Sequence, residues 1–320
     1  MPPTAYSSPE ELRSLGVELE DAGCALCSST EYRPVLVGQD RLHGGPGRFQ
    51  VVACRRCGLM RTNPRPTFAT IGLYYPQDYE PYIETASEDR HRRRHAVSRI
   101  VSSLDTAIPL LAPGRLLEIG SASGNYLVAM QRAGWHVTGV EFDPTAAATA
   151  ARTTGADVRV GGVLDTDFPP ASFDLVCGWM VFEHLHDPVS AFARVFEWLA
   201  PGGWLAFSVP DAGNWQLRTF GDAWFALQLP THLYHFTKTT IRRVLSSRGY
   251  EAISIRSQRT LFDVAMSCAY RVEDAGLVAP GTGQRIARST PSRALVRAGG
   301  ILGGPLGLSG RMTVWARRRR

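Results

Sequence analysis

From Gly114 onward the chain alternates short apolar runs with longer segments whose apolar residues recur at helical spacing. Leu116 to Ile119 reads as a strand ending in a glycine turn, and Asn125 to Ala133 as a helix stopped by Gly134. His136 to Val140 predicts a second strand. Asp143-Pro144 then supplies a capping acid followed by proline at the first helical position, which opens the next helix. Asp157 to Val160 and Phe173 to Trp179 predict further strands. A helix from Asp187-Pro188 to Leu199 leads through the Pro201-Gly202-Gly203 turn into a strand over Trp204 to Val209. Thr237 caps a helix that ends before Gly249, and Glu251 to Arg256 and Met312 to Ala316 complete the set. Strands and helices alternating at these lengths predict an α/β fold, a doubly wound, Rossmann-like parallel sheet covered on both faces.

Ahead of this pattern the text changes. Residues 1–20 read as a flexible leader and residues 21–62 as a small module built on two CxxC pairs. Residues 63–110 form a connector: the Pro-rich Asn63-Pro64-Arg65-Pro66, then Tyr74, Tyr75, Tyr79 and Tyr82, then a helical stretch with the basic run Arg90 to Arg94. The main domain occupies 111–320, with residues 257–310 inserted before its last strand. The apolar segment Ala294 to Leu308 within that insertion is expected to pack beside the sheet, by the rule that apolar segments seek the core.

With 44% hydrophobic and 20% charged residues the chain can bury a core. No apolar run reaches the roughly 18 residues of a membrane span. The start of the chain has neither a basic nor an apolar signal region, so a cytoplasmic location is expected. The net charge of +6 is uneven, because nine arginines and no acid lie between Arg285 and Arg320. That tail can attract nucleic acid or anionic lipid, or simply keep a terminus solvated. Peripheral membrane contact is the most that is expected, and nucleic acid is not the favoured partner.

Four of the six cysteines fall at Cys24/Cys27 and Cys54/Cys57, with 26 residues between the pairs. In a cytosolic chain such spacing points to metal rather than disulfides. Four soft thiolates suit a tetrahedral Zn2+ with no open position, hence a structural site. His43, inside the gap, is read as a loop residue, and the lone Cys177 as core.

Candidate chemistry begins at Glu118-Ile119-Gly120-Ser121-Ala122-Ser123-Gly124-Asn125, between a strand and a helix. Small residues there let backbone approach a ligand closely. Glu141, 17 residues after Gly124, ends the next strand, where a carboxylate can accept from both hydroxyls of a ribose. A dinucleotide fingerprint would place glycines where Ala122 and Asn125 stand, and no Walker-type loop is present. A ligand with ribose but no pyrophosphate fits better.

These residues resemble the class I S-adenosylmethionine-dependent methyltransferases. Glu118, Gly120 and Gly124 match the family's first motif, with Ala122 in place of a common middle glycine; Glu141 matches the ribose-binding acid. Gly162-Val163-Leu164-Asp165 falls where the family brackets adenine. Phe173 to Val176, Glu183-His184 and Pro201-Gly202-Gly203 match its fourth strand, the Glu-His after it and the turn before strand five. The resemblance runs from about Leu111 to Arg256. It implies a seven-stranded sheet, S-adenosylmethionine as cofactor, and a cofactor site of Glu118, Gly120, Ser121, Ala122, Gly124, Glu141, Phe142, Val163 and Leu164. The front string, with Cys54, Cys57-Gly58-Leu59, Asn63-Pro64-Arg65-Pro66 and Tyr74-Tyr75-Pro76, looks like a bacterial subfamily with an N-terminal zinc module whose members often act on saccharides or secondary metabolites. That implies a small-molecule acceptor, such as a saccharide or its lipid-linked form.

Methyl transfer to a hydroxyl needs alignment and a base, and histidine is suited to that task. His184, His186, His232 and His235 are expected at the mouth of the sheet. His232 is the first choice as base, with His235 orienting it, His184 paired with Glu183, and His186 exposed beside Asp187. The catalytic set is therefore His232, His235, Glu183 and His184. Tyr74, Tyr75 and Tyr79 offer a lid, and Trp215 and Trp224 a pocket lining. An RNA methyltransferase, a sugar C-methyltransferase and a non-enzymatic cofactor-binding protein are the competing readings. The sequence does not specify the oligomeric state.

Overall fold

The computed structural model describes residues 6–75, 108 and 111–320. Tyr79, Tyr82 and the run Arg90 to Arg94 lie outside the described residues. Elements are numbered over the described chain.

The front of the chain contains α1 (Pro9–Ser14), β1 (Leu19–Glu20), β2 (Tyr32–Gln39), β3 (Arg48–Cys54), β4 (Met60–Thr62) and β5 (Arg65–Pro66). Residues 9–20, expected to fray, are folded. A reciprocal capping box between Ser8 and Glu11 opens α1, Leu12 and Val17 are buried, and β1 pairs with β5. The local caps explain why the helix starts where it does, and the two buried side chains explain why it stays.

The main domain runs β6 (Arg115–Ile119), α2 (Asn125–Arg132), β7 (His136–Glu141), α3 (Pro144–Thr154), β8 (Asp157–Val160), β9 (Phe173–Trp179), α4 (Pro188–Trp198) and β10 (Leu199–Pro210). There follow α5 (Trp215–Phe220), β11 (Tyr234–His235), α6 (Lys238–Ser247), β12 (Tyr250–Ser257), α7 (Phe262–Asp274), α8 (Thr282–Arg288), α9 (Thr290–Gly303) and β13 (Arg311–Arg318). Seven strands form one sheet in the order β12-β13-β10-β9-β6-β7-β8. β13 runs antiparallel to both neighbours; β10, β9, β6, β7 and β8 are parallel.

Period-two alternation assigns each strand residue to a layer. Leu117, Ile119, Val176, Leu205, Phe207 and Val314 face the core shared with Phe192 and Val195 of α4 and Ile241 and Val244 of α6. Leu116, Leu175, Cys177, Ala206 and Trp315 face the opposite layer, against Leu127 and Met130 of α2. Cys177 is thus core, as expected. Asp143 and Asp187 cap α3 and α4 through the backbone N–H groups of Ala146 and Ser190, each with proline directly after the cap.

The front module is not a separate bead. Its sheet, in the order β11-β4-β3-β2, takes its last strand from the main domain. Phe49, Val51, Ala53, Met60 and Tyr74 share one core with Leu217, Phe220, Trp224, Leu227 and Leu229. Tyr74 is buried there, its hydroxyl donating to the Pro46 carbonyl, so it is a core residue rather than a lid. Trp224 is likewise core, donating from Nε1 to Gln216.

The insertion is helical, and Ala294 to Leu308 does not bury its leucines. Leu295, Leu302 and Leu306 are 75%, 75% and 76% exposed. Instead Gly300 of α9 and Gly304 just after it face inward: a Cβ on Gly300 would collide with the Arg259 carbonyl oxygen, and one on Gly304 would stand 2.7 Å from that of Gln258. Close backbone approach, not side-chain burial, seats this helix.

Candidate active site

Brackets of loop at the carboxyl ends of β6, β7, β9 and β10 bring the expected residues to one edge of the sheet, where open α/β sheets bind ligands. After β6 the chain turns at Gly120 with φ +70°, and a Cβ there would lie 2.6 Å from Val181 Cγ2. Only glycine meets both conditions. Ala122 adopts φ +44°, a conformation that L side chains rarely take, and its N–H donates to Glu141 Oε2 at 2.7 Å. Glu141 Oε1 accepts from the Asp143 N–H at 3.0 Å. The carboxylate is therefore pinned at the end of β7 with one further lone pair on each oxygen. Glu118 is fully buried, and its acidity is weakened strongly by burial and then by the charge of Glu141. Its Oε2 and the Ser121 hydroxyl are buried without a partner among the described residues. Around this polar floor Phe142 is 59% and Leu164 48% exposed, while Val163 is buried. The surround offers unpaired polar groups below and uncovered apolar groups at the side, which suits a nucleoside.

The second half of the site is a histidine cluster. His232 is buried, and its Nδ1 lies 2.9 Å from the Ala226 carbonyl oxygen. A carbonyl accepts only, so Nδ1 carries the proton and Nε2 keeps its lone pair. His184 Nδ1 lies 3.0 Å from the Thr231 carbonyl and 2.9 Å from the Tyr75 hydroxyl, which fixes the same tautomer. The His184 and His232 rings meet edge to face at 4.6 Å. One ligand atom from each of Glu183, His184 and His232 lies within 4.8 Å of the others. Both oxygens of Glu183 are buried without a hydrogen-bond partner among the described residues, and burial pushes its carboxyl up to about 8. Burial pushes the His184 imidazole down to about 4 and His232 well below the usual value. The cluster is thus neutral around pH 7, with imidazole lone pairs beside a protonated carboxyl.

His235 sits on β11 and reaches Thr62 of β4, Nε2 to Oγ1 at 3.2 Å. The Thr62 hydroxyl donates to the His232 carbonyl at 2.8 Å, so its oxygen accepts from His235. His235 therefore holds the backbone of His232 through a front-module side chain. His186 is half-buried rather than exposed: its Nε2 lies 3.1 Å from the Pro66 carbonyl.

A family profile described as methyltransferase domain matches residues 89–255, just over half of the chain. The chain belongs to the S-adenosylmethionine-dependent methyltransferases. Over 137 residues it is 28% identical to a probable S-adenosylmethionine-dependent methyltransferase of Mycolicibacterium smegmatis, covering 42% of this chain and 51% of that protein. A ubiquinone biosynthesis O-methyltransferase of Thiobacillus denitrificans is 29% identical over 143 residues, covering 42% and 61%. The methyltransferase described here thus spans between half and two thirds of the length of these relatives. Among solved structures, a methyltransferase of Thermotoga maritima, titled a possible histamine N-methyltransferase, aligns with a TM-score of 0.48 at 19% identity, covering 72% of this chain and 96% of that one.

In this methyltransferase the four paired cysteines converge. Cys24 and Cys57 Sγ lie 3.4 Å apart, Cys27 and Cys54 Sγ 3.5 Å, and all four fall within 4.8 Å of one another. A tetrahedral zinc with bonds of about 2.3 Å sets its sulfurs about 3.8 Å apart, so the set fits that ion. Each pair closes a knuckle: the Ser28 N–H donates to the Cys24 carbonyl and the Gly58 N–H to that of Cys54. His43 is exposed and outside the cluster.

Three contributors to the methyltransferase site carry no signal of their own in the sequence. Thr62 acts from a segment 170 residues away in the chain, and the Ala226 carbonyl, six residues before His232, is a backbone group that no side-chain pattern marks. Phe68, 60% exposed, stands edge-on to Phe142 at 5.8 Å and to His186 at 5.6 Å. The Asn63-Pro64-Arg65-Pro66 string gave the nearest hint, and its role is bracing: Arg65 pairs with Glu20 and donates to the His186 carbonyl, and Asn63 bonds Asp21 and the Ala22 N–H.

Proposed function

We propose that this methyltransferase moves a methyl group to a hydroxyl of a small-molecule acceptor, a saccharide or another secondary metabolite, with His232 as general base. The observation that carries the reading is the ring of His232, held by the Ala226 carbonyl so that Nε2 keeps its lone pair, beside the Glu183 carboxyl, which has no hydrogen-bond partner among the described residues. When bound, S-adenosylmethionine supplies an electrophilic methyl group on a sulfonium that leaves as a neutral thioether. Glu118, Gly120, Ser121, Ala122, Gly124, Glu141, Phe142, Val163 and Leu164 would hold it, Glu141 by accepting from the ribose hydroxyls. Phe68 adds a third apolar wall next to Phe142. His232 Nε2 would take the proton of the acceptor hydroxyl, whose oxygen would receive the methyl group. Glu183 and His184 border the imidazolium so formed. Placing these groups together removes the cost of assembling them in solution.

The four cysteines are assigned to a structural Zn2+ that shapes the front module, since four thiolates leave no position for substrate. O-methylation is supported by the name of the Thiobacillus relative. The saccharide class rests on the resemblance of the front module. The RNA alternative loses part of its footprint, because part of the arginine tail is engaged in β13: Arg317 pairs with Glu251, and Arg318 donates to the Phe196 and Glu197 carbonyls. Incubation with methyl-labelled S-adenosylmethionine and a fractionated bacterial extract tests the reading. Label in the small-molecule or lipid fraction supports it; label in RNA overturns it.

A further inference from the structure

We propose that α9 and the turn after it form a docking surface for a membrane containing anionic phospholipid. At about 100° per residue, Pro291, Ala294, Leu295, Ala298, Ile301 and Leu302 share an arc of about 120° on α9. Pro291, Ala294, Leu295, Ala298, Ile301 and Leu302 are all exposed, and Leu306 in the following turn is 76% exposed. The opposite face carries Gly300 and Gly303, which are buried. Arg293 and Arg297 lie along one edge of the apolar arc. The helix therefore has its small residues inside and its leucines outside, the reverse of a helix that stabilises its own core.

Charge selects the occupant. No acidic residue follows Asp274, whereas Arg285, Arg288, Arg293 and Arg297 precede or border the arc. Nearby acids of α7 are already engaged: Asp263 pairs with Arg311, Asp274 with Arg41, and Glu273 accepts from Gln284. A second copy of the chain would bring these arginines against each other at a two-fold contact. An anionic lipid surface instead accepts the leucines into its acyl boundary while the arginine stems snorkel to the headgroups. No helix among the described residues is long and apolar enough to cross a membrane, so the contact is peripheral.

The full chain is sedimented with vesicles of phosphatidylcholine alone or mixed with phosphatidylglycerol. We expect binding to the mixed vesicles, weakened by salt. We expect it to fall about tenfold or more both in Leu295→Asp/Leu302→Asp and in Arg293→Ala/Arg297→Ala, since apolar burial and lipid charge both contribute. Unchanged affinity for S-adenosylhomocysteine in each variant shows that the fold is kept; if the aspartate variant fails this control, the arginine variant decides. Equal binding to neutral vesicles, no binding at all, or undiminished binding by the variants overturns the proposal. So does a dimer in sedimentation velocity that the aspartate variant dissociates.

Discussion

At Glu183 the protein buries a carboxyl whose two oxygens accept no hydrogen bond from another side chain among the described residues. Burial raises its pKa from the usual 4.5 to about 8. A carboxyl raised on folding gives a contribution that is complete below the unfolded value and lost as pH rises through the folded one. The wild-type protein should thus lose stability between 4.5 and about 8 through this group. Glu183→Gln removes that loss, so its denaturation midpoint should exceed that of the wild type at about pH 9 and approach it at about pH 5. A midpoint difference that does not change with pH would mean that Glu183 is ionised in the fold. The same neighbourhood explains why the histidines were only half legible. Their number and position after the sheet strands were readable, but their tautomers depend on the Ala226 and Thr231 carbonyls, which no side-chain pattern announces.

Among the elements, α4 shows how local rules set a boundary. Asp187 accepts from the Ser190 N–H at 3.0 Å and Pro188 follows it. Asp187→Ala should cost about 1 kcal/mol in chemical denaturation, the usual worth of such a cap, with cofactor affinity unchanged. A loss below about 0.3 kcal/mol would assign the helix start to packing alone. Such caps, together with the two apolar periodicities, make most strands and helices of the main sheet readable; β10 is the exception, beginning at Leu199 rather than Trp204, with Pro201-Gly202-Gly203 inside the strand as a shift in its register. Two features escaped. β11 pairs with β4 across more than half the chain, Tyr234 opposite Arg61 and His235 opposite Met60, and local pattern does not encode so distant a register. The segment Ala294 to Leu308 is expected to pack beside the sheet because apolar segments seek the core, whereas in α9 glycines allow the closer approach and take the inner face.

On the scale of the whole molecule, the front module and the main domain share cores and one sheet, and the loop from Ala226 to His235 lies at their junction. Disruption in front should therefore reach the histidines. Cys54→Ser should release zinc and lower the melting temperature, and turnover should fall even with cofactor in excess, because β3 and β4 hold the Thr62 brace. Metal content by mass spectrometry and a melting curve check this; zinc retained at the wild-type level would refute a four-thiolate site.

The central claim separates a cofactor half at Gly120 and Glu141 from a proton-accepting half at His232. Calorimetric titration of S-adenosylhomocysteine into wild type, Gly120→Arg and His232→Ala, with turnover on the labelled acceptor fraction measured on the same preparations, tests it most directly. His232→Ala should keep wild-type affinity but lose turnover roughly a hundredfold or more, the usual weight of a general base. Gly120→Arg, whose side chain would strike Val181, should not bind. Full turnover by His232→Ala would remove His232 as the base, and undiminished binding by Gly120→Arg would remove Gly120 from the cofactor site.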